Sequence, residues 1–191
     1  MKKQIVGFVV GALILPLSVM AQDHSHHDMN HDKKSMNHED GQVKHYEVSA
    51  DFQKQLNAVY QAGLALNSAF VAGDADAVKS KSDAMSNQMK KVDMSLLKGD
   101  AHKAWMGYMK PINEGLKTIN ASDDIAEQRK LYAGVSEGLY KSVKAFGVGE
   151  TVYYQHCPMA KASWLSNSKD IKNPYYGSMM LTCGSTKEVL N

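Results

Sequence analysis

The sequence predicts an all-α fold: an up-down four-helix bundle with an irregular C-terminal cap and a disordered His/Met-rich N-terminal arm. Three observations lead there. Apolar residues recur at helical spacing from about Ser49 to Phe146, turn residues cut that run into four pieces, and the composition changes abruptly on either side of it.

In the first helix Phe52, Leu56, Val59, Gly63, Leu66 and Phe70 fall on one stripe, with Ser49 as N-cap and Gly73 as terminator. Asp74 caps a second helix whose apolar face is Val78, Met85, Met89, Val92 and Leu96. After Gly99-Asp100 comes a third, carrying Trp105, Tyr108, Ile112, Leu116 and Ile119. Pro111 inside it is expected to kink or split it. Ser122-Asp123-Asp124 opens a fourth helix with acid at its N-terminus, where the helix dipole favours it. Its stripe is Ile125, Tyr132, Val135, Leu139, Val143 and Phe146, closed by Gly147 and Gly149. These helices occupy residues 46–149. Met85, Met89, Met106 and Met109 read as core packing and Trp105 and Trp164 as core anchors, while His102 is expected at the surface.

Residues 150–191 read as a cap of the same domain. Thr151-Val152-Tyr153-Tyr154 has strand composition, and the Pro and Gly residues after it argue against long regular elements.

At the other end, Lys2 and Lys3 precede an apolar run from Ile5 to Val19, and Val19-Met20-Ala21 offers a cleavage site. Residues 1–21 therefore read as a signal peptide, which implies export to the periplasm. The run is shorter than a spanning helix and holds Pro16, and no other stretch is apolar enough, so no membrane span is expected in the mature chain. The chain's net charge of +2 resides in Lys2 and Lys3, which argues against nucleic acid as a partner.

The arm, residues 22–45, has little apolar surface to offset the entropy of ordering it, so disorder is expected. It holds six of the eight histidines. His24, His26, His27, Met29, His31, Met36 and His38 are candidate metal ligands, and Met-Asn-His recurs at 29–31 and 36–38. Imidazole suits copper, zinc and nickel, and thioether selects Cu(I) or Ag(I). A second candidate set is His156, Cys157 and Met159, with Met180 and Cys183 completing the shell. The alternative for Cys157 and Cys183 is a disulfide worth roughly 3 kcal/mol. Both readings stay open. Nucleophile-elbow, zincin and phosphate-loop motifs are all absent, so an enzyme is not expected.

The phrases YYQHCPMA, WLSNSKDIKNPYYGSMMLTCG and DIAEQRKLYAGVS resemble a secreted bacterial family catalogued as domain of unknown function 3347, over roughly residues 46–189. That family's domain occurs alone or joined to periplasmic adaptor subunits of heavy-metal efflux pumps. Its pattern falls here on His156, Cys157, Pro158, Met159, Trp164, Asn173, Pro174, Met180, Cys183 and Gly184. The resemblance implies metal handling and an adaptor as partner. Together these readings lead to the expectation of a periplasmic protein that binds copper, as Cu(I) or Cu(II), with silver or zinc as alternatives. It would sequester the metal or hand it to an efflux system. The rival expectation is an interaction module that docks an envelope or adaptor protein, with the two cysteines as a staple.

Overall fold

The computed structural model describes residues 43–191. The segment read as signal peptide and the arm ligands His24, His26, His27, Met29, His31, Met36 and His38 lie outside the described residues.

Four helices build the body: α1 (Ala50–Ala72), α2 (Ala75–Met89), α3 (Gly99–Asn120) and α4 (Ile125–Phe146). The Ser49 hydroxyl accepts the Phe52 N–H at the start of α1, and Gly73 ends it at φ 75°, a left-handed conformation that favours glycine. Asp74 and Asp124 cap α2 and α4 in the same way as Ser49 caps α1. Each helix packs on its chain neighbour, and α1 also meets α4, which closes the ring of a bundle. Phe52 meets Trp105 and Phe146 edge-on, at centroid distances of 5.6 and 5.3 Å, in the middle of the core.

Helix α3 is not split at Pro111. The proline forfeits one backbone hydrogen bond, but Trp105, Ile112, Leu116 and Ile119 on the same helix are all buried, and that burial outweighs the loss. Close approach to α4 adds to it: a Cβ on Gly115 would lie 2.5 Å from Val135, and one on Gly138 would lie 2.8 Å from the Tyr108 carbonyl. Among the methionines, Met85 and Met89 are core residues, whereas Met106 is 44% exposed. Val43, expected in the arm, packs against the core with Tyr46 and Val48. Tyr46 donates its N–H to the Ala145 carbonyl and stacks on Phe146. Among the described residues no helix is long and apolar enough to cross a membrane.

The all-α expectation needs correction at the C-terminus, where a small antiparallel sheet replaces the irregular cap. Its strands are β1 (Val152–Cys157), β2 (Ala162–Ser166) and β3 (Ser185–Leu190), in the order β2-β1-β3. Predicting a single strand that stopped at Tyr154 missed this because β2 and β3 have only five and six residues and β3 is mostly polar, too little to announce a strand. Their partner β1 supplies the backbone hydrogen bonds that hold them. Lys187 is the extra residue of a bulge, since Tyr154 pairs with Glu188 and Gln155 with Thr186.

The sheet is covered on both faces. Tyr154 stacks on Tyr140 of α4 at 3.8 Å. On the opposite face Gln155 donates to the carbonyls of Ser168, Lys169 and Asp170. The loop through residues 167–184 therefore lies over that second face. Arg129 of α4 anchors the loop, donating to the carbonyls of Pro174 and of Phe70 at the end of α1.

Candidate metal centre

Cys157 ends β1, and Pro158 turns the chain away from the strand. Because side chains alternate along a strand, Cys157 shares the face of Gln155, under the 167–184 loop, while His156 shares the face of Tyr154, towards α4. Two adjacent candidate ligands are thus separated by the thickness of the sheet. His156 Nδ1 lies 2.9 Å from the hydroxyl of Ser163, its cross-strand partner.

Cys183 arrives from the loop. A short 3-10 helix, Gly177–Met180, precedes it, and its N–H bonds the Met180 carbonyl. The two thiols, 26 residues apart in sequence, come to 3.1 Å between sulfurs, and both are free. Cys157 is buried and Cys183 half-buried.

Asn173, fully buried, holds this arrangement. Its Nδ2 donates to the Cys183 carbonyl at 2.8 Å, and its Oδ1 accepts the N–H groups of Tyr175 and Tyr176. Gly184 completes the frame at φ 147°, against the Trp164 ring and the His156 carbonyl.

The environment makes the two thiols unequal. Burial pushes the Cys157 thiol up, but contacts from the Ala160 N–H, the Cys183 thiol, the Met159 N–H and the Asn173 amide outweigh it. They hold Cys157 below its ordinary value. Cys183 moves the other way, raised first by its contact with Cys157 and then by burial. Of the two thiols, Cys157 is therefore the more readily ionised, helped by backbone and amide donors, and Cys183 the less.

The thioethers stand outside this pair. Met159 is 63% exposed, Met180 37% and Met179 73%. Among the described residues no group of three or more His, Cys, Asp or Glu side chains converges as it would around a metal ion. Of the five predicted cap ligands, the structure therefore joins Cys157 and Cys183, sets His156 on the other face, and leaves Met159 and Met180 at the surface. Asn173, which holds Cys183, stood out in the sequence as a turn residue before Pro174, and only the resemblance joined it to the cysteines.

The fold and site define a class: a four-helix bundle carrying a small sheet, with a paired dithiol under the loop that covers it. Residues 59–151 match the family described as Protein of unknown function (DUF3347). The matched segment ends ahead of β1, so the dithiol lies beyond it. No curated protein and no solved structure matches the chain.

Proposed function

We propose that the protein binds a soft metal ion, copper before any other, in the periplasm, and holds it for an export system. The observation that carries this is the convergence of the Cys157 and Cys183 sulfurs to 3.1 Å at the end of β1. Thiolate sulfur selects soft ions, and two sulfurs preplaced by a folded frame bind more tightly than donors gathered from a flexible chain. The His/Met-rich sequence before residue 45 supports the same reading from separate residues, as a weaker collector that would raise the local metal concentration. The sequence at residues 1–21 supports export, and the family resemblance supports an efflux adaptor as recipient. No catalytic role is proposed.

The test is a Cu(I) competition titration of the reduced full chain against its Cys183→Ser variant. One tight ion per chain, lost in the variant while weaker binding persists, is the expected result. Equal titrations of the two proteins would leave the cysteines without a metal role.

A second reading has its own support. An open groove beside the dithiol turn, of 400 Å³, is lined by Arg129, Ala133, Tyr175, Tyr176 and Met179 among others. An apolar groove of this kind suits a docking partner, with the cysteines then acting as a staple. Under that reading the protein isolated without reductant has lost both thiols and takes up no metal at the cap.

A further inference from the structure

We infer that Cys157 and Cys183 form a two-coordinate site for a monovalent d10 ion, Cu(I) or Ag(I), with no ligand from His156, Met159 or Met180. The inference rests on the metal-binding reading above and narrows it from a five-residue soft site to a bis-thiolate one.

Three observations carry it. The first is the donor count. The structure brings two sulfurs together, and among the described residues no third His, Cys, Asp or Glu joins them. A structural zinc site takes four ligands, so a pair of thiolates leaves Zn(II) half-coordinated, whereas monovalent soft ions are satisfied by fewer, softer donors.

The second is the sheet. For His156 to reach an ion at Cys157, its side chain would have to cross the plane of β1, which is hydrogen-bonded on both edges by β2 and β3. A one-residue slip of β1 would move its whole side-chain set to the wrong faces, including fully buried Val152 and Gln155. The register thus excludes the imidazole that lies next to the thiol in sequence.

The third is the freedom of the pair to open. Metal–sulfur bonds are about 2.3 Å, so an ion in line between two sulfurs needs them about 4.6 Å apart. The 3.1 Å separation therefore has to widen by no more than about 1.5 Å. Cys157 is fixed by the Ala160 N–H at 3.4 Å. Asn173 holds Cys183 by its backbone carbonyl, while the Cys183 side chain meets the other sulfur and the Met159 N–H. Rotation of the half-buried Cys183 side chain supplies the opening without moving the loop. On binding, both S–H bonds break, two sulfur–metal bonds form, both protons pass to solvent, and the site carries one net negative charge.

The experiment uses the full reduced chain with one equivalent of Cu(I) under anaerobic conditions, read by alkylation of the two cysteines and by copper X-ray absorption. The expected result is that Cu(I) shields both thiols and that the absorption edge is that of copper bound to two sulfurs. His156→Ala, Met159→Leu and Met180→Leu should each hold copper within about twofold of the parent, well short of the tenfold or greater losses that removing even a supporting group can bring. Zn(II) at the same concentration should leave the thiols reactive. A three- or four-coordinate edge, or a loss of about tenfold or more in the His156→Ala, Met159→Leu or Met180→Leu variant, overturns the two-coordinate site while leaving metal binding intact. Equal shielding by Zn(II) does the same. Thiols that react freely in the presence of every ion overturn both this inference and the reading it rests on.

Discussion

At the scale of single residues, the site turns on two cysteines and the groups that aim them. The sequence marked Cys157 and Cys183 as a pair by being the only cysteines in the chain, and that much was legible. The place of His156 was not, because the predicted strand stopped at Tyr154. Carried three residues further, as β1 is, the same alternation puts His156 and Cys157 on opposite faces. Gly184 gives a direct check on the frame. Its φ of 147° is one that other residues rarely adopt, and a Cβ there would lie 2.9 Å from Trp164 and 3.0 Å from the His156 carbonyl. Gly184→Ala is therefore expected to destabilise the fold by about 1–3 kcal/mol, the range for forced backbone conformations. It should also raise the reactivity of both thiols towards alkylation. Unchanged denaturant midpoints would show that the turn accepts a side chain and that the dithiol frame is looser than described.

At the scale of elements, helices were read well and strands poorly, for a physical reason. A helix of 15 to 23 residues repeats its apolar stripe several times, so Phe52 through Phe70 identifies α1 without help from the rest of the chain. Strands β2 and β3 have five and six residues and are held by pairing, which sequence periodicity does not record. The join between the two kinds of element is testable. Lys144 of α4 contacts Glu188 of β3 at 2.9 Å, and the Tyr140 hydroxyl donates to the same carboxylate at 2.7 Å. Burial raises the Glu188 acid, but the hydrogen bonds from Lys144 and Tyr140 and the Lys144 charge outweigh it and hold it below its ordinary value. A carboxylate depressed in the folded state stabilises the fold above its unfolded value and loses that contribution as pH falls through the folded one. Glu188→Gln should therefore lower the thermal midpoint at neutral pH, and the gap from the parent should close below roughly pH 4 to 5. A gap that persists unchanged into acid would mean that shape at this position, rather than charge, holds β3 to α4.

At the scale of the whole described molecule, the question is whether bundle and sheet fold as one body. The expectation from sequence was a cap belonging to the same domain as the helices, and the packing gives that expectation a mechanism. Val152, Cys157, Trp164 and Leu165 of the sheet belong to the same buried cluster as Phe52, Trp105 and Phe146 of the bundle. The Ser136 hydroxyl on α4 also bonds the Ser163 carbonyl on β2 at 2.8 Å. Burial that is shared between elements couples their stabilities, because neither can leave without exposing the other's apolar surface. Trp164 is the probe of choice. It is fully buried, lies on strand β2 rather than on any helix, and packs near Tyr175 of the covering loop. Trp164→Phe keeps an aromatic ring there and leaves Trp105, inside the bundle, as the single tryptophan. Trp164→Ala empties the position and should cost about 3–5 kcal/mol, as aromatic truncations in cores do. If the two parts form one cooperative unit, that loss appears in full in the helical circular dichroism, and within each variant Trp105 fluorescence unfolds at the same midpoint as the helical signal. A helical signal that keeps the parent's midpoint in Trp164→Ala, while the cysteines become reactive to alkylation, would show instead a sheet that unfolds separately. The dithiol would then sit on a detachable element, open to exchange without any disturbance of the bundle.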